Sequence, residues 1–349
     1  MQHDGESRAR GPHPLPLFLE IASRRSAGDP ARLARILAGL RRYQALPPAP
    51  ENVQQPIVFE HGNVRLRDHG QGREGRPLLV VPSLINPARV LDLGPGRSLL
   101  AALAARGWRP LMVDWGEAPE PLGLTGLVEA RLLPILRDLG APVPVVGYCL
   151  GGTLAAALAA IAGPSHVSAL ALLATPWRFA GYGAAARARL ADWWTVAAPM
   201  AAPMGAVPME LLQPAFWGLD EEALLAKYER LAEADAADVA AFATLEDWAN
   251  SGPPLALAAA SEMAAFFAED APGRGAWTVA GQQVRADTLE MPLLDVVAMR
   301  DRIVPPDAAL SSAGVGERLE VAAGHVGMIV GGRADALLRQ PLAEWLASR

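Results

Sequence analysis

Residues 143–162 constrain the fold more than any other part of this 349-residue chain. An apolar run at 143–146 precedes the sequence GYCLGG (147–152), and a run of small apolar residues follows it. This pattern predicts a strand, a tight turn and a helix, with Cys149 at the tip of the turn. Glycines flank the cysteine because the helix and the strand must approach closely around a strained backbone. A helix N-terminus directly behind a thiol favours its negative charge.

The surroundings of this turn are free of charge. Residues 141–177 contain no Asp, Glu, Lys or Arg, and a stretch of that length could span a bilayer. Several glycines and Pro164 interrupt it, however. We interpret it as a buried strand, a buried helix and a second buried strand at 168–173, because strands covered on both faces of a parallel sheet are continuously apolar. We therefore expect no transmembrane segment.

An alternation of strands and helices continues on both sides of the turn. The sequence predicts these elements as follows: strands at 78–81, 110–113, 292–298 and 319–321; helices at 98–106, 122–139 (kinked at Pro134) and 341–348. Such an alternation indicates an α/β protein with a mostly parallel central sheet and helices on both faces. With a nucleophile on a sharp turn between strand and helix, it predicts the α/β-hydrolase fold.

Two regions depart from this alternation. Residues 1–50 are expected to form a peripheral N-terminal segment, with a helix at 31–43 that Pro47, Pro48 and Pro50 end. Residues 178–286 are rich in Ala, Leu and Glu and predict helices at 221–233 and 236–250. Because the sheet pattern resumes afterwards, we expect a helical cap inserted into a core of residues 51–177 and 287–349, rather than a separate helical domain. Apolar residues at 253–267 could supply a lid or be ordinary core.

Composition excludes several functions. The formal net charge is -6, and no basic stripe is visible, so nucleic-acid binding is not expected. A single cysteine excludes an internal disulfide and a cysteine-based metal site, and it favours a reducing, cytoplasmic location. Residues 1–25 carry no secretory pattern. No metal, nucleotide or flavin motif is present, so no cofactor is expected.

A cysteine nucleophile needs a base and a group that orients the base. In the α/β-hydrolase order the histidine comes last, after the final strand, and His325 lies there between glycines. The acid should follow the strand after the cap, which favours Asp301 over Asp295, since Asp295 lies inside that strand. The remaining histidines are expected elsewhere. His3 and His13 lie near the N-terminus, His61 and His69 in an early hairpin, and His166 in a surface loop after the helix that follows the cysteine.

The same fold predicts an oxyanion hole made of two backbone N–H groups. One belongs to the residue after the nucleophile, Leu150, and the other to the loop after an earlier strand. In this chain that loop is residues 82–87, where Leu84 and Ile85 are the two candidates.

The chain resembles the polyhydroxyalkanoate synthases, most closely the catalytic subunit of the short two-subunit type (class III). The motifs that carry the resemblance are VPSLINPARVLDL (81–93), LMVDWG (111–116), GYCLGGT (147–153), LEDW (245–248), MRDRIVPP (299–306) and GHVGMIVGG (324–332). The resemblance covers residues 75–349. It implies that Cys149 carries the growing acyl chain, that His325 activates the thiol, and that Asp301 orients His325 or helps deprotonate the incoming hydroxyl. The implied substrate is a 3-hydroxyacyl-CoA.

The resemblance also implies a second, non-catalytic subunit and a homodimer or hetero-oligomer. It further implies a location in the cytoplasm, in association with polyester granules. Exposed cap tryptophans (Trp193, Trp194 and Trp217) would suit an interface. One departure is Arg302, where the family usually has histidine. Two alternatives therefore stay open: a hydrolase (esterase, thioesterase or polyester depolymerase) with the same triad, and a non-enzymatic protein that binds granules or a partner.

Overall fold

The computed structural model describes residues 10–47 and 54–349. The expectations for residues 1–9, His3, Pro48 and Pro50 lie outside that range. The strands are β1 (Ile57–His61), β2 (Val64–Asp68), β3 (Arg76–Val81), β4 (Trp108–Asp114), β5 (Val143–Tyr148), β6 (Val167–Leu173), β7 (Ala206–Val207), β8 (Leu255–Ala256), β9 (Thr278–Val279), β10 (Gln282–Gln283), β11 (Leu293–Ala298) and β12 (Glu317–Val321).

The α-helices of the same residues span most of the remaining chain. They are α1 (Leu15–Arg25), α2 (Pro30–Gln44), α3 (Leu99–Ala104), α4 (Leu124–Leu127), α5 (Leu133–Asp138), α6 (Leu150–Ala162), α7 (Gly183–Ala201), α8 (Met209–Trp217), α9 (Glu221–Leu231), α10 (Ala236–Ala249), α11 (Leu257–Glu269), α12 (Gly327–Val330) and α13 (Gln340–Ala347). Within the described ranges, no helix is long and apolar enough to cross a membrane.

The central sheet confirms the predicted fold class. It has eight strands in the order β1-β2-β4-β3-β5-β6-β11-β12. The β1–β2 and β2–β4 pairs are antiparallel, and all other neighbours are parallel. Strands β5 and β6 and the last four residues of β3 are almost entirely buried, as their continuous Val, Leu and Ala runs predict. The carboxyl ends of β5, β6 and β11 therefore meet at one edge.

The helix expected at 122–139 shows how a proline is accommodated. The segment is helical from α4 to α5, and a π-helical turn, Val128–Leu132, lies between them, ahead of Pro134. Proline has no N–H to donate and its ring crowds the preceding turn. The wider π turn adjusts the hydrogen-bond pattern there, where the sequence predicts only a kink.

The chain forms two compact units, and the expected division into an N-terminal segment, a core and one cap stays a prediction. Among the described residues, one unit contains residues 10–47 and 208–252, and the other contains residues 54–207 and 253–349. We call them the helical unit and the sheet unit. Residues 208–252 thus belong with the N-terminal helices, whereas residues 178–207 and 253–286 belong with the sheet.

The packing of α2 against α9 gives the physical reason for this grouping. A Cβ built on Gly39 would lie 1.9 Å from the Tyr228 carbonyl oxygen, so only glycine lets these helices come so close. Arg32 and Arg35 both pair with Glu229 across the same contact. A core of apolar and aromatic side chains, which includes Trp217, lies between the helices of this unit. Trp217 is therefore core, whereas Trp193 and Trp194 of the sheet unit are partly exposed.

The expected lid residues lie in the sheet unit. Leu255 is in β8, which pairs with β7, and α11 follows directly. Phe266 is buried and packs edge-on against Trp277, with ring centroids 4.9 Å apart. Most of the segment is therefore packed structure of this unit.

Candidate active site

Cys149 occupies a strained turn between β5 and α6. Its backbone angles are φ 53° and ψ -130°, a conformation that residues other than glycine rarely adopt. The turn is fixed by two backbone bonds: the Cys149 N–H donates to the Leu173 carbonyl at 2.9 Å, and the Gly152 N–H donates to the Cys149 carbonyl at 2.8 Å. The sulfur is held at the edge of the sheet and is only partly exposed.

Two glycines after the cysteine are required by lack of space. A Cβ on Gly151 would lie 2.2 Å from the Pro82 carbonyl oxygen, and a Cβ on Gly152 would lie 1.9 Å from the Thr175 hydroxyl oxygen. The first turn of α6 therefore presses against the loops after β3 and β6. Neither glycine has a positive φ, so the constraint is close approach rather than backbone conformation.

His325 and Asp301 form a buried pair next to this turn. His325 Nδ1 lies 2.6 Å from Asp301 Oδ2. Asp301 Oδ1 accepts the backbone N–H groups of Ile303 (2.8 Å) and Val304 (2.9 Å), which hold the carboxylate in place. With Nδ1 committed to Asp301, the ring is also close enough to the Cys149 sulfur for the sulfur to raise the pKa of His325. The structure therefore brings all three predicted residues together, in the order thiol, imidazole and carboxylate.

The environment makes His325 a strong proton acceptor. Burial lowers its pKa, but the Cys149 sulfur and Asp301 outweigh burial and raise the pKa from 6.5 to about 10. The imidazolium is thus stabilised on one side by sulfur and on the other by a carboxylate. This arrangement favours transfer of the thiol proton to the ring.

The backbone around the thiol offers N–H groups for an oxyanion. Leu150 is the first residue of α6, where the N–H has no acceptor within its own helix. Of the two candidates in the other loop, the Ile85 N–H donates to the Ser83 hydroxyl at 3.3 Å. No protein acceptor for the Leu84 N–H is found in the described ranges. Leu84 is therefore the stronger candidate, and the oxyanion hole stays a prediction.

The comparisons with known proteins agree with this geometry. A family model described as alpha/beta hydrolase fold matches residues 135–331, a span that contains Cys149, Asp301 and His325. The chain belongs to the alpha/beta hydrolase family. Among solved structures, this alpha/beta hydrolase is similar in fold to a protein titled putative non-heme bromoperoxidase BpoC from Mycobacterium tuberculosis, with a TM-score of 0.55, 19% identity, and coverage of 85% of this chain and 99% of that one.

Curated relatives of this alpha/beta hydrolase confirm the resemblance found in the sequence. It is 29% identical to the poly(3-hydroxyalkanoate) polymerase subunit PhaC of Haloferax mediterranei, over 84% of this chain and 63% of that protein. The subunit of the same name from Allochromatium vinosum is 27% identical, over 78% of this chain and 81% of that protein. The chain thus spans less than two thirds of the haloarchaeal protein and most of the other.

Two tyrosines of this alpha/beta hydrolase were missed by sequence reasoning. The buried Tyr148 donates from its hydroxyl to the His325 carbonyl at 3.4 Å, and their rings lie 5.1 Å apart. Tyr182 packs edge-on against Phe267 at 4.7 Å. Burial, with the charges of Cys149 and Asp301, raises the pKa of both tyrosines well above the usual value, so both stay protonated. The only clue in the sequence to a tyrosine at this site is that Tyr148 directly precedes the candidate nucleophile.

The other predicted residues of this alpha/beta hydrolase lie apart from the thiol. Asp295 is fully buried in β11, and its Oδ2 accepts the Ser311 N–H at 2.7 Å, so it supports the fold. His61 pairs with Asp138, and His69 pairs with Asp92. Arg302 is exposed beside the catalytic candidate Asp301. Within the described residues, no group of three or more His, Cys, Asp or Glu side chains could hold a metal ion.

Proposed function

We propose that this chain is an acyltransferase that polymerises 3-hydroxyacyl-CoA through a thioester on Cys149 and releases CoA. The observation that carries the proposal is the cysteine in the strained turn, paired with His325 and Asp301. The relatives named poly(3-hydroxyalkanoate) polymerase support the substrate class. The triad assignment of Cys149, His325 and Asp301 is part of the same proposal.

The first half of the reaction loads the enzyme. His325 takes the Cys149 proton, and the sulfur attacks the thioester carbonyl of the substrate. The N–H groups of Leu150 and Leu84 stabilise the resulting oxyanion. The C–S bond to CoA then breaks, and the CoA sulfur leaves with the proton from His325. Because one thioester replaces another, little free energy is lost.

The second half extends the chain. His325 accepts the proton of a 3-hydroxyl group, and the hydroxyl oxygen attacks the acyl group on Cys149. An ester bond forms, the C–S bond to Cys149 breaks, and the proton returns to the sulfur. Asp301 orients the ring and stabilises its positive charge in both halves. A serine in place of Cys149 would form an ester no more reactive than the polymer, which explains the use of sulfur.

The test is incubation of the purified protein with (R)-3-hydroxybutyryl-CoA, alone and with a non-catalytic class III subunit. Free CoA is quantified chromatographically and polymer is measured in the same samples. We expect CoA release with polymer from the parent protein and neither product from Cys149→Ala. The Cys149→Ser variant is the matched control, since it keeps a nucleophile of similar size but weakens the acyl-enzyme.

Other outcomes would replace this proposal. Release of CoA with free 3-hydroxybutyrate and no polymer would identify a hydrolase on the same triad. Absence of CoA release in both mixtures would contradict acyl transfer from this donor and favour a binding role. A requirement for the second subunit would support the two-subunit organisation, and polymer-bound protein after sedimentation would place the enzyme at the polyester surface.

A further inference from the structure

A cleft in the sheet unit lies beside the loop that carries Leu84. It is partly open to solvent. Its walls come from β2, the loop after β3, the loop after β4, the end of helix α4 and residues 253–259. Leu84, Trp115, Leu127, Leu255 and Ala259 give it a largely apolar lining.

The polar groups of this cleft are already engaged within the protein. The Trp115 indole N–H donates to the Pro82 carbonyl at 3.1 Å. Glu120 accepts from Arg131 Nε at 2.6 Å and from the Asn63 N–H at 2.5 Å. Burial raises the pKa of Glu120, but Arg131 outweighs it and holds the pKa below the usual value. A ligand of this cleft therefore finds apolar contact and shape rather than free hydrogen-bonding groups.

The position of the cleft relates it to Cys149. Leu84 belongs both to the cleft and to the candidate oxyanion hole. Pro82, two residues earlier, abuts Gly151 in the first turn after the cysteine. The cleft and the candidate oxyanion hole therefore share the loop after β3, which also touches the first turn of α6.

We propose that this cleft binds the aliphatic tail of the acyl group carried by Cys149 and sets the preferred chain length. The inference rests on the proposed acyl transfer for its biological substrate. Its physical content is independent of turnover: any alkyl group attached to the Cys149 sulfur gains contact with the apolar lining as its chain lengthens. Each buried methylene favours such a reaction about fourfold.

Alkyl methanethiosulfonates test this directly on the full chain. The Cys149 thiolate attacks the sulfenyl sulfur, a new S–S bond forms and methanesulfinate leaves, so the probe places an alkyl chain on the sulfur without any acyl transfer. Because the chain has one cysteine, intact mass reports a single site. The measured quantity is the ratio of second-order rate constants for the hexyl and methyl reagents on the folded protein, which cancels changes in the intrinsic reactivity of the thiolate.

Two variants change the cleft in opposite directions. Leu127→Ala enlarges it and should raise the hexyl-to-methyl ratio about fourfold or more, and Ala259→Leu narrows it and should lower the ratio by a similar factor. Leu124→Ala is the matched control, since Leu124 lies on the same helix, is fully buried and does not line the cleft. Its ratio should stay at the parent value.

The outcomes separate the cleft from the reaction. A ratio that Leu127→Ala leaves unchanged, or that Leu124→Ala changes equally, would overturn the proposal even if Ala259→Leu did not fold. Failure of the acyl-CoA assay would contradict the proposed function but leave these ratios measurable. If both hold, the preference for eight-carbon over four-carbon 3-hydroxyacyl-CoA should change in the same directions.

Discussion

Two buried histidine–aspartate pairs in the sheet unit have nearly the same local chemistry. His325 Nδ1 lies 2.6 Å from Asp301, and His69 Nδ1 lies 2.9 Å from Asp92. Both rings are more than nine-tenths buried. They differ in what acts on the ring besides the carboxylate: the charge of Cys149 raises the pKa of His325, whereas His69 Nε2 is buried with no hydrogen-bond partner among the described residues.

The difference follows from topology. His325 and Asp301 follow β12 and β11, whose carboxyl ends share an edge with the turn after β5. His69 follows β2, which runs antiparallel to β4, and its N–H donates to the Pro110 carbonyl in the first half of that strand. A histidine–aspartate pair is therefore a stabilising contact in one place and a candidate acid–base group in the other. The third group, a nucleophile, distinguishes them.

The largest effect should come from replacing each of the two histidines by glutamine, whose side chain ends in an amide instead of an imidazole ring. His325→Gln should lower kcat/KM for 3-hydroxybutyryl-CoA by about 10⁴ if the proposed function holds, since the proposed general base is lost. His69→Gln should leave kcat/KM within about threefold once the folded fraction is corrected by circular dichroism. Equal losses in the two variants would mean that the pairs do not differ in function as their surroundings indicate.

Replacing the aspartate of each pair by asparagine tests the same difference between the two histidine–aspartate pairs. Asp301→Asn should lower kcat/KM by about 10²–10³, because an amide no longer fixes the Nδ1–H tautomer and no longer balances the imidazolium charge. Asp92→Asn should change kcat/KM by less than about threefold. Steady-state kinetics at saturating and limiting substrate measure both, and a small effect at Asp301 would argue that it only supports the loop of Ile303.

The charge on His325 provides a third measurement, independent of turnover. Its pKa of about 10 should be visible in ¹⁵N-histidine NMR spectra, with the resonance assigned from His325→Gln. In Cys149→Ala the pKa should fall, since the sulfur is the largest of the raising causes and burial, which lowers the pKa, remains. The imidazolium stabilises the fold fully below pH 6.5 and less as the pH rises towards about 10. An unchanged pKa in Cys149→Ala would contradict the contact with sulfur.

Much of this site follows from local sequence and chain order. The turn at Cys149 is encoded in six consecutive residues, and the order of nucleophile, acid and base places Asp301 and His325 after known strands. These inferences depend on short segments and on the rule that parallel strands end at one edge. The mostly parallel central sheet was predictable for the same reason.

The remainder depends on contacts between distant segments. The helical unit is set by Gly39 against Tyr228 and by arginine–glutamate pairs far apart in sequence, which no local pattern encodes. Tyr182 belongs to the region expected as a cap, and its approach to Cys149 depends on how the segment after β6 packs against the loop after β11. Periodicity reports that a residue is apolar or helical but not which distant partner it contacts.

The smallest effect in this comparison is thermodynamic and concerns Asp92. The hydrogen bond from His69 and that from Ser98 hold the pKa of Asp92 below its usual value, against the effect of burial. A carboxylate with a lowered pKa stabilises the fold above its unfolded value of 3.8, and that contribution is lost as the pH falls through the lowered pKa. Asp92→Asn should therefore reduce the free energy of unfolding by about 1–2 kcal/mol at neutral pH.

Urea unfolding of the parent and of Asp92→Asn at a series of pH values tests this, because the gap between them should narrow as the pH drops below 3.8. A constant gap would show that Asp92 contributes through a hydrogen bond that the amide cannot reproduce, rather than through its charge. A gap near zero throughout would show that the Asp92 carboxylate stabilises the fold no more than an amide does, and would contradict the prediction. In either case the pair beside Cys149 would remain the one whose charge is balanced on both sides of the ring.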